Sequence, residues 1–180
     1  MESFKIRRAE AKDADDIAYV RITGWRQSYK GMMPDELLGK LDIAADAQRL
    51  RAAFTDKENQ ALRFVVEQDG KITGMGACGK ARNTADDKCG EVYAIYLLNE
   101  AKGQGIGKNF MREMVEVLQA NGFESLQVRV LESNRPARSF YEKLGGRVAD
   151  HGFFEYDGFK MADVTYVWPD IKALTGGVGK

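Results

Sequence analysis

Apolar and charged residues alternate from Phe4 to Arg8, the period of a half-buried strand. Ala11, Asp13 and Asp16 then supply helix-opening chemistry, and Ala18, Ile22, Trp25 and Tyr29 recur at helical spacing until Gly31 and Pro34 break the pattern. Shorter helices are predicted over Asp35 to Leu41 and Ala44 to Phe54. The period then changes. Leu62 to Glu67 and Lys71 to Ala81 read as strands joined at Asp69-Gly70, a dipeptide suited to a tight hairpin turn. A polar loop, Arg82 to Gly90, leads to a strand over Glu91 to Leu98. Gly103 to Gly107 opens an amphipathic helix with Phe110, Met111, Met114, Val115 and Leu118 on one face, closed by Asn121-Gly122. A strand over Glu124 to Leu131 and a helix over Asn134 to Leu144 follow, the latter with Pro136 in its first turn. Arg147 to Glu155 and Lys160 to Trp168 read as a last hairpin. Strand Lys160 to Trp168 is a candidate edge for pairing with a second copy, and the tail after Pro169, with Gly176, Gly177 and Gly179, is expected to fray.

This order predicts an α+β (mixed α/β) fold with one domain over residues 4–168 and a tail over 169–180. The unit from Glu91 to Leu131 is long enough for a crossover between parallel strands. A chain of 180 residues buries about 70% of its unfolded surface and needs neither metal nor disulfide to build a core. Its 27 basic and 27 acidic residues cancel, so no general affinity for nucleic acid or anionic membrane is expected. Cys78, Cys89 and the single histidine, His151, form no metal-ligand spacing, and the thiols are expected to be reduced. His151 lies near a turn, a placement more often structural or exposed than catalytic. The longest uninterrupted apolar run, Val92 to Leu98, is far short of a membrane span, and a cytoplasmic protein is expected.

The chemistry concentrates in Lys102-Gly103-Gln104-Gly105-Ile106-Gly107-Lys108, between a strand and a helix. Glycines there let backbone amides approach a ligand, and a helix N-terminus adds unpaired N–H groups and partial positive charge, so a phosphate or pyrophosphate is the natural guest. The other reading of this stretch is a connection that merely lets helix and strand pack. The Walker spacing fails, because three residues separate Gly103 from Gly107 and Asn109 stands where Ser or Thr would meet magnesium. The dinucleotide fingerprint fails on spacing as well.

The segment resembles the acetyl-CoA loop of the GNAT superfamily of N-acetyltransferases, (Gln/Arg)-x-x-Gly-x-(Gly/Ala), with Gly105 and Gly107 at the glycine positions and Lys102 departing from the first. Asn134 to Gly145, with Ala137, the Phe140-Tyr141 pair and Leu144-Gly145, resembles the family's second signature. The order of elements agrees from Phe4 to Trp168. The resemblance implies a central, mostly antiparallel sheet of about seven strands, flanked by helices and splayed in the middle. It implies acetyl-CoA as cosubstrate, without metal, and acetyl transfer to a primary amine of a small molecule, such as a polyamine, by direct attack in a ternary complex.

Residue by residue, the resemblance gives the pyrophosphate to Gln104, Gly105, Ile106, Gly107 and Lys108, supported by Lys102 and Gly103, and the pantetheine and acetyl carbonyl to amides near Leu97 and Leu98. Asn134 would contact the coenzyme arm. Tyr141, a neutral phenol at pH 7, would protonate the leaving thiolate; outside the motif it reads as a core tyrosine. Glu91 is the candidate base, and equally a carboxylate at a strand end; Tyr93 and Tyr96 are alternatives that could lead a water chain. Trp25, Tyr29, Asp35, Tyr93 and Glu155 are candidates for the acceptor pocket, where aromatic faces and carboxylates would receive a cationic amine, although Trp25 and Tyr29 also fit a helix core. Competing functions are a protein N-terminal or lysine acetyltransferase and a non-catalytic acyl-CoA sensor. Possible partners are a peptide amine and a second copy of the chain.

Overall fold

The computed structural model describes residues 4–175. Strand β1 spans Phe4–Arg8 and is followed by helices α1 (Ala14–Ser28), α2 (Asp35–Lys40) and α3 (Ile43–Thr55). Strands β2 (Leu62–Gln68), β3 (Lys71–Lys80) and β4 (Cys89–Leu97) come next. Helix α4 (Ile106–Ala120), strand β5 (Ser125–Leu131), helix α5 (Arg135–Lys143) and the hairpin β6 (Arg147–Tyr156) and β7 (Phe159–Trp168) complete the fold. Each element lies within a few residues of its predicted span. Asp42 caps α3 by accepting from the Ala45 N–H at 2.7 Å, and Asp69 and Gly70 take positive φ (49° and 75°) in the hairpin turn.

The seven strands form one sheet in the order β1-β2-β3-β4-β5-β7-β6. Pairs β1–β2, β2–β3, β5–β7 and β6–β7 are antiparallel, whereas β4 and β5 are parallel and are joined by the crossover through α4. The β4–β5 register runs only from Cys89–Ser125 to Glu91–Gln127, although β5 continues to Leu131. Two expectations are corrected here. Strand β7 is not an edge: Val164, Tyr166 and Trp168 are buried, so it sits between β5 and β6, and β6, with Val148 and Phe153 exposed, is the terminal strand. Residues just beyond Pro169 do not fray, because Asp170 caps a short turn and the buried Ile171 donates its N–H to the Glu124 carbonyl at 2.9 Å. Gly176, Gly177 and Gly179 lie outside the described residues.

The chain resolves into two compact units, one running through Cys78 and including Ala94–Met114, the other comprising Gly79–Tyr93 and the chain from Val115. In the first, Ile17 and Val20 of α1 pack with Val65, Met75 and Leu98, flanked by Leu50 and Phe54 of α3. Glycine lets α4 approach β3: a Cβ at Gly76 would lie 2.9 Å from Phe110 and Met114. In the second, Leu126 and Val128 of β5 are buried, and Tyr141 of α5 packs on Tyr166 and Trp168 of β7. Trp168 Nε1 donates to the Leu144 carbonyl at 2.9 Å, closing α5 onto the sheet.

Both cysteines are free and buried, and burial pushes the Cys78 thiol up to about 12, so this sulfur stays protonated and unreactive. His151 lies within β6 rather than at a turn; it is exposed, 3.5 Å from Glu132. Among the described residues no helix is long and apolar enough to cross a membrane, and no group of three or more His, Cys, Asp or Glu could hold a metal ion.

Candidate functional site

In the first unit, the chain leaves β4 and passes through a short turn at Asn99–Ala101 into the glycine loop. Gly103 and Gly105 adopt φ of 76° and 75°, with no atom within 4 Å of where a Cβ would stand. These glycines are therefore required by backbone conformation rather than packing, and the space beside them is open to a ligand. Asn109 donates back to the Gly105 carbonyl at 3.4 Å, so the preceding N–H groups at the start of α4 lie in the first turn, where a helix offers them no acceptor. The positive end of the 15-residue α4 adds to this, and Lys108 is exposed beside it. A pyrophosphate fits this set of donors.

The other loop residues are tied elsewhere. The Lys102 ammonium donates to Asn99 Oδ1 at 2.9 Å and Ser28 Oγ at 3.4 Å, both neutral, so its charge is held in place without being cancelled. Gln104 donates to the Glu100 carbonyl at 2.6 Å and accepts from Gln68 at 3.0 Å. Leu98 departs from expectation: its N–H already donates to the Thr73 carbonyl at 2.9 Å and its carbonyl accepts from the Ala101 N–H at 2.9 Å, so its amide is engaged within the protein.

Also in the first unit, Trp25, Tyr29 and Tyr96 form a trio. Trp25 and Tyr29 meet edge to face at 5.4 Å, Tyr29 and Tyr96 at 6.3 Å, and the two tyrosine hydroxyls share a hydrogen bond of 3.2 Å. Close approach of α1 to Tyr96 depends on Gly24, where a Cβ would stand 3.2 Å from the Tyr96 Cβ. Burial raises the Tyr96 pKa above the ordinary phenol value, keeping it a neutral hydroxyl. Trp25 is only 6% exposed, with Arg21 stacked on it at 5.2 Å. The ring is thus core, as the helical spacing also allowed. Asp35 is exposed at the first position of α2.

In the second unit, Glu91 is fully buried and accepts three hydrogen bonds: from the Arg82 N–H at 2.8 Å, the Arg82 guanidinium at 2.7 Å and Gln127 Nε2 at 3.1 Å. Gln127 also donates to the Arg82 carbonyl at 2.9 Å, while the Arg82 guanidinium lies 4.5 Å from the Tyr93 ring centroid. Tyr93 donates its hydroxyl to the Lys80 carbonyl. The carboxylate placed by sequence as a base is the centre of a clamp on the loop after β3. Glu155 is exposed on β6 opposite Lys160.

Asn134 caps α5, its Oδ1 accepting from the Ala137 N–H at 3.3 Å, which leaves Nδ2 as its donor group. Tyr141 is 5% exposed amid Phe140, Tyr166 and Trp168. The Tyr166 hydroxyl accepts from Arg138 at 3.0 Å and donates to Glu142 at 2.5 Å, fixing α5 on β7.

Loop residues 102–108, Leu97, Leu98, Trp25, Tyr29 and Asp35 thus belong to the first unit, and Glu91, Tyr93, Asn134, Tyr141 and Glu155 to the second. Sequence reasoning missed Gln68 and Thr73, which hold Gln104, and assigned no partner to Arg82. The available signal was a polar glutamine at the inward end of β2, immediately before the Asp69-Gly70 turn.

Residues 24–146 match the model of the Acetyltransferase (GNAT) family. The uncharacterized N-acetyltransferase YuaI of Bacillus subtilis is 34% identical over 173 residues, covering 94% of this chain and 95% of that one. Among solved structures, the PaiA N-acetyltransferase of Thermoplasma acidophilum in complex with coenzyme A superposes with a TM-score of 0.74 at 20% identity, covering 92% and 98% of the two chains. An N-acetyltransferase of Staphylococcus aureus superposes at 0.70 with 19% identity, covering 94% and 99%. At these identities the two structural likenesses are of fold.

Proposed function

Because the chain belongs to the GNAT acetyltransferase family, an acetyl-CoA-dependent group of acyltransferases acting on amines, we propose that it acetylates a primary amine of a small molecule, such as a polyamine, by direct attack in a ternary complex. The observation that carries the coenzyme half of this reading is the Gly103–Gly105 loop, whose positive φ angles and open flanks leave backbone N–H groups available to a pyrophosphate. Amides of residues 104–108, with Lys108 and the uncancelled charge of Lys102, hold the phosphates, and Leu97, just before this loop, serves the pantetheine arm. The bound coenzyme supplies an acyl group already activated as a thioester.

The chain's own residues then manage protons and orientation. The amine must lose a proton before or during attack, since its lone pair forms the new C–N bond as the C–S bond breaks. Tyr96 and Tyr29 are assigned to the outgoing proton: a neutral hydroxyl pair passes it to water by accepting on one side and donating on the other, a relay that needs no phenolate. Glu91 is assigned to holding Arg82 rather than to accepting a proton, because its oxygens are engaged by three donors, one of them cationic. Tyr141 is assigned to protonating the departing thiolate. Asp35, exposed at the start of α2, and Tyr29 of the same unit are assigned to attracting a cationic amine. An initial-rate matrix in acetyl-CoA and amine tests the order of events: intersecting double-reciprocal lines support direct transfer, and parallel lines would replace it with a covalent acyl-enzyme.

A further inference from the structure

The β2–β3 hairpin reaches the glycine loop through one unbroken run of hydrogen bonds, all within the first unit. Its origin is a bulge. Val66 pairs with Gly74 and Glu67 with Ile72, so Thr73 is skipped in the register. A bulge leaves one residue out of the ladder and re-aims its groups. Thr73 makes two bonds from this position: its carbonyl accepts from the Leu98 N–H at 2.9 Å, and its hydroxyl donates to Gln68 Oε1 at 2.8 Å. Gln68 Nε2 donates to Gln104 Oε1 at 3.0 Å, and Gln104 Nε2 donates to the Glu100 carbonyl at 2.6 Å. Gln68 and Thr73 are each 8% exposed, so neither can trade these bonds cheaply for water.

The donors all point one way along this run, from the hydroxyl through two carboxamides to a main-chain carbonyl, which fixes how both amides are turned. The chain of bonds grips the connection at Leu98, where β4 ends, at Glu100 within the turn, and at Gln104 between the two positive-φ glycines. At Gly103 and Gly105 a Cβ would meet nothing within 4 Å, so no neighbouring side chain crowds these positions into their conformation. Their freedom would otherwise be lost at each binding event, at an entropic cost.

We infer that Gln68 and Thr73 are positioning residues for the coenzyme: buried in the hairpin, they hold Gln104 and so preset the glycine loop for the pyrophosphate. This rests on the reading of that loop as the pyrophosphate site. It predicts that breaking the run weakens donors that carry the pyrophosphate and spares donors that lack it. A general loss of structure would weaken both.

The test compares acetyl-CoA with S-acetylpantetheine, which keeps the thioester and lacks the pyrophosphate, in the full-length protein and in Gln68→Met, Gln68→Glu, Thr73→Val and Thr73→Ser. Gln68→Glu is informative because a carboxylate still accepts from Thr73 but cannot donate to Gln104, and it serves if Gln68→Met does not fold. The expected result is a rise of about tenfold in KM for acetyl-CoA and in Kd for coenzyme A in Gln68→Met, Gln68→Glu and Thr73→Val, with kcat nearly unchanged. Thr73→Ser, which keeps the hydroxyl, restores wild-type values. For S-acetylpantetheine, kcat/KM falls no more than about twofold in any of them. Folded variants with unchanged coenzyme A affinity, or an equal loss for both donors, overturn the inference. A wild-type protein that binds coenzyme A no better than pantetheine overturns the loop reading itself and this inference with it.

Discussion

Glu91 receives both the backbone N–H and the guanidinium of Arg82, at 2.8 and 2.7 Å, while wholly removed from solvent. A carboxylate so placed stitches residue 82 to the start of β4, with Gln127 completing the ring. Glu91→Gln therefore loses about 2 kcal/mol of stability, the worth of hydrogen bonds to a charged group, measurable by urea denaturation. The kcat of the folded variant stays within about tenfold of wild type; a general base would lose about 10²–10⁴.

Tyr141→Phe separates chemistry from packing. The ring contacts with Tyr166 and Trp168 survive the change, so the helix stays seated. With the hydroxyl as acid, kcat falls by about 10²-fold while coenzyme A affinity measured by calorimetry moves less than about twofold. Unchanged kcat would make Tyr141 a core residue only.

Gly105→Ala isolates the loop. No atom lies within 4 Å of the new Cβ, so only its φ of 75° opposes the change, at about 1 kcal/mol for an L residue in the left-handed region. The loop then relaxes away from this conformation, and coenzyme A affinity drops about tenfold, against a small shift in thermal midpoint.

Alternation and helical spacing placed nearly every element, because each strand or helix buries a face that repeats with its own period. The glycine loop and the Asn134 to Gly145 signature were equally legible, since both are local: positive φ at Gly103 and Gly105 and the cap at Asn134 depend on neighbours in sequence. What was hidden is tertiary. Thr73 becomes a bulge only when β3 is held against β2, and Gln68 meets Gln104 across 36 positions. The partner of Glu91 comes from a loop without periodicity, so the carboxylate looked open when it is closed. The order of β6 and β7 likewise turned on which strand of a hairpin is buried on its apolar face.

Arg7 and Asp13 form a two-point pair, at 2.7 and 2.9 Å, that ties β1 to the start of α1. The Arg7 hydrogen bonds hold the Asp13 carboxyl below the usual carboxylate range, aided by the Glu10 N–H. A depressed folded pKa means this stabilisation is full above the unfolded value of about 3.9 and is lost as pH falls through the folded one. Asp13→Asn is expected to be less stable by about 2 kcal/mol at pH 7 and to show a flatter loss of stability below pH ~4, read from thermal midpoints across that range.

The most direct test of acetyl transfer is thiol release from acetyl-CoA across polyamines, amino acids, aminoglycosides and amine-terminated peptides, with the acetylated product identified by mass spectrometry. The account predicts rapid release with one class of small amines and a product acetylated on nitrogen. Binding of acetyl-CoA without turnover on any amine would contradict it and leave a coenzyme-binding module in its place.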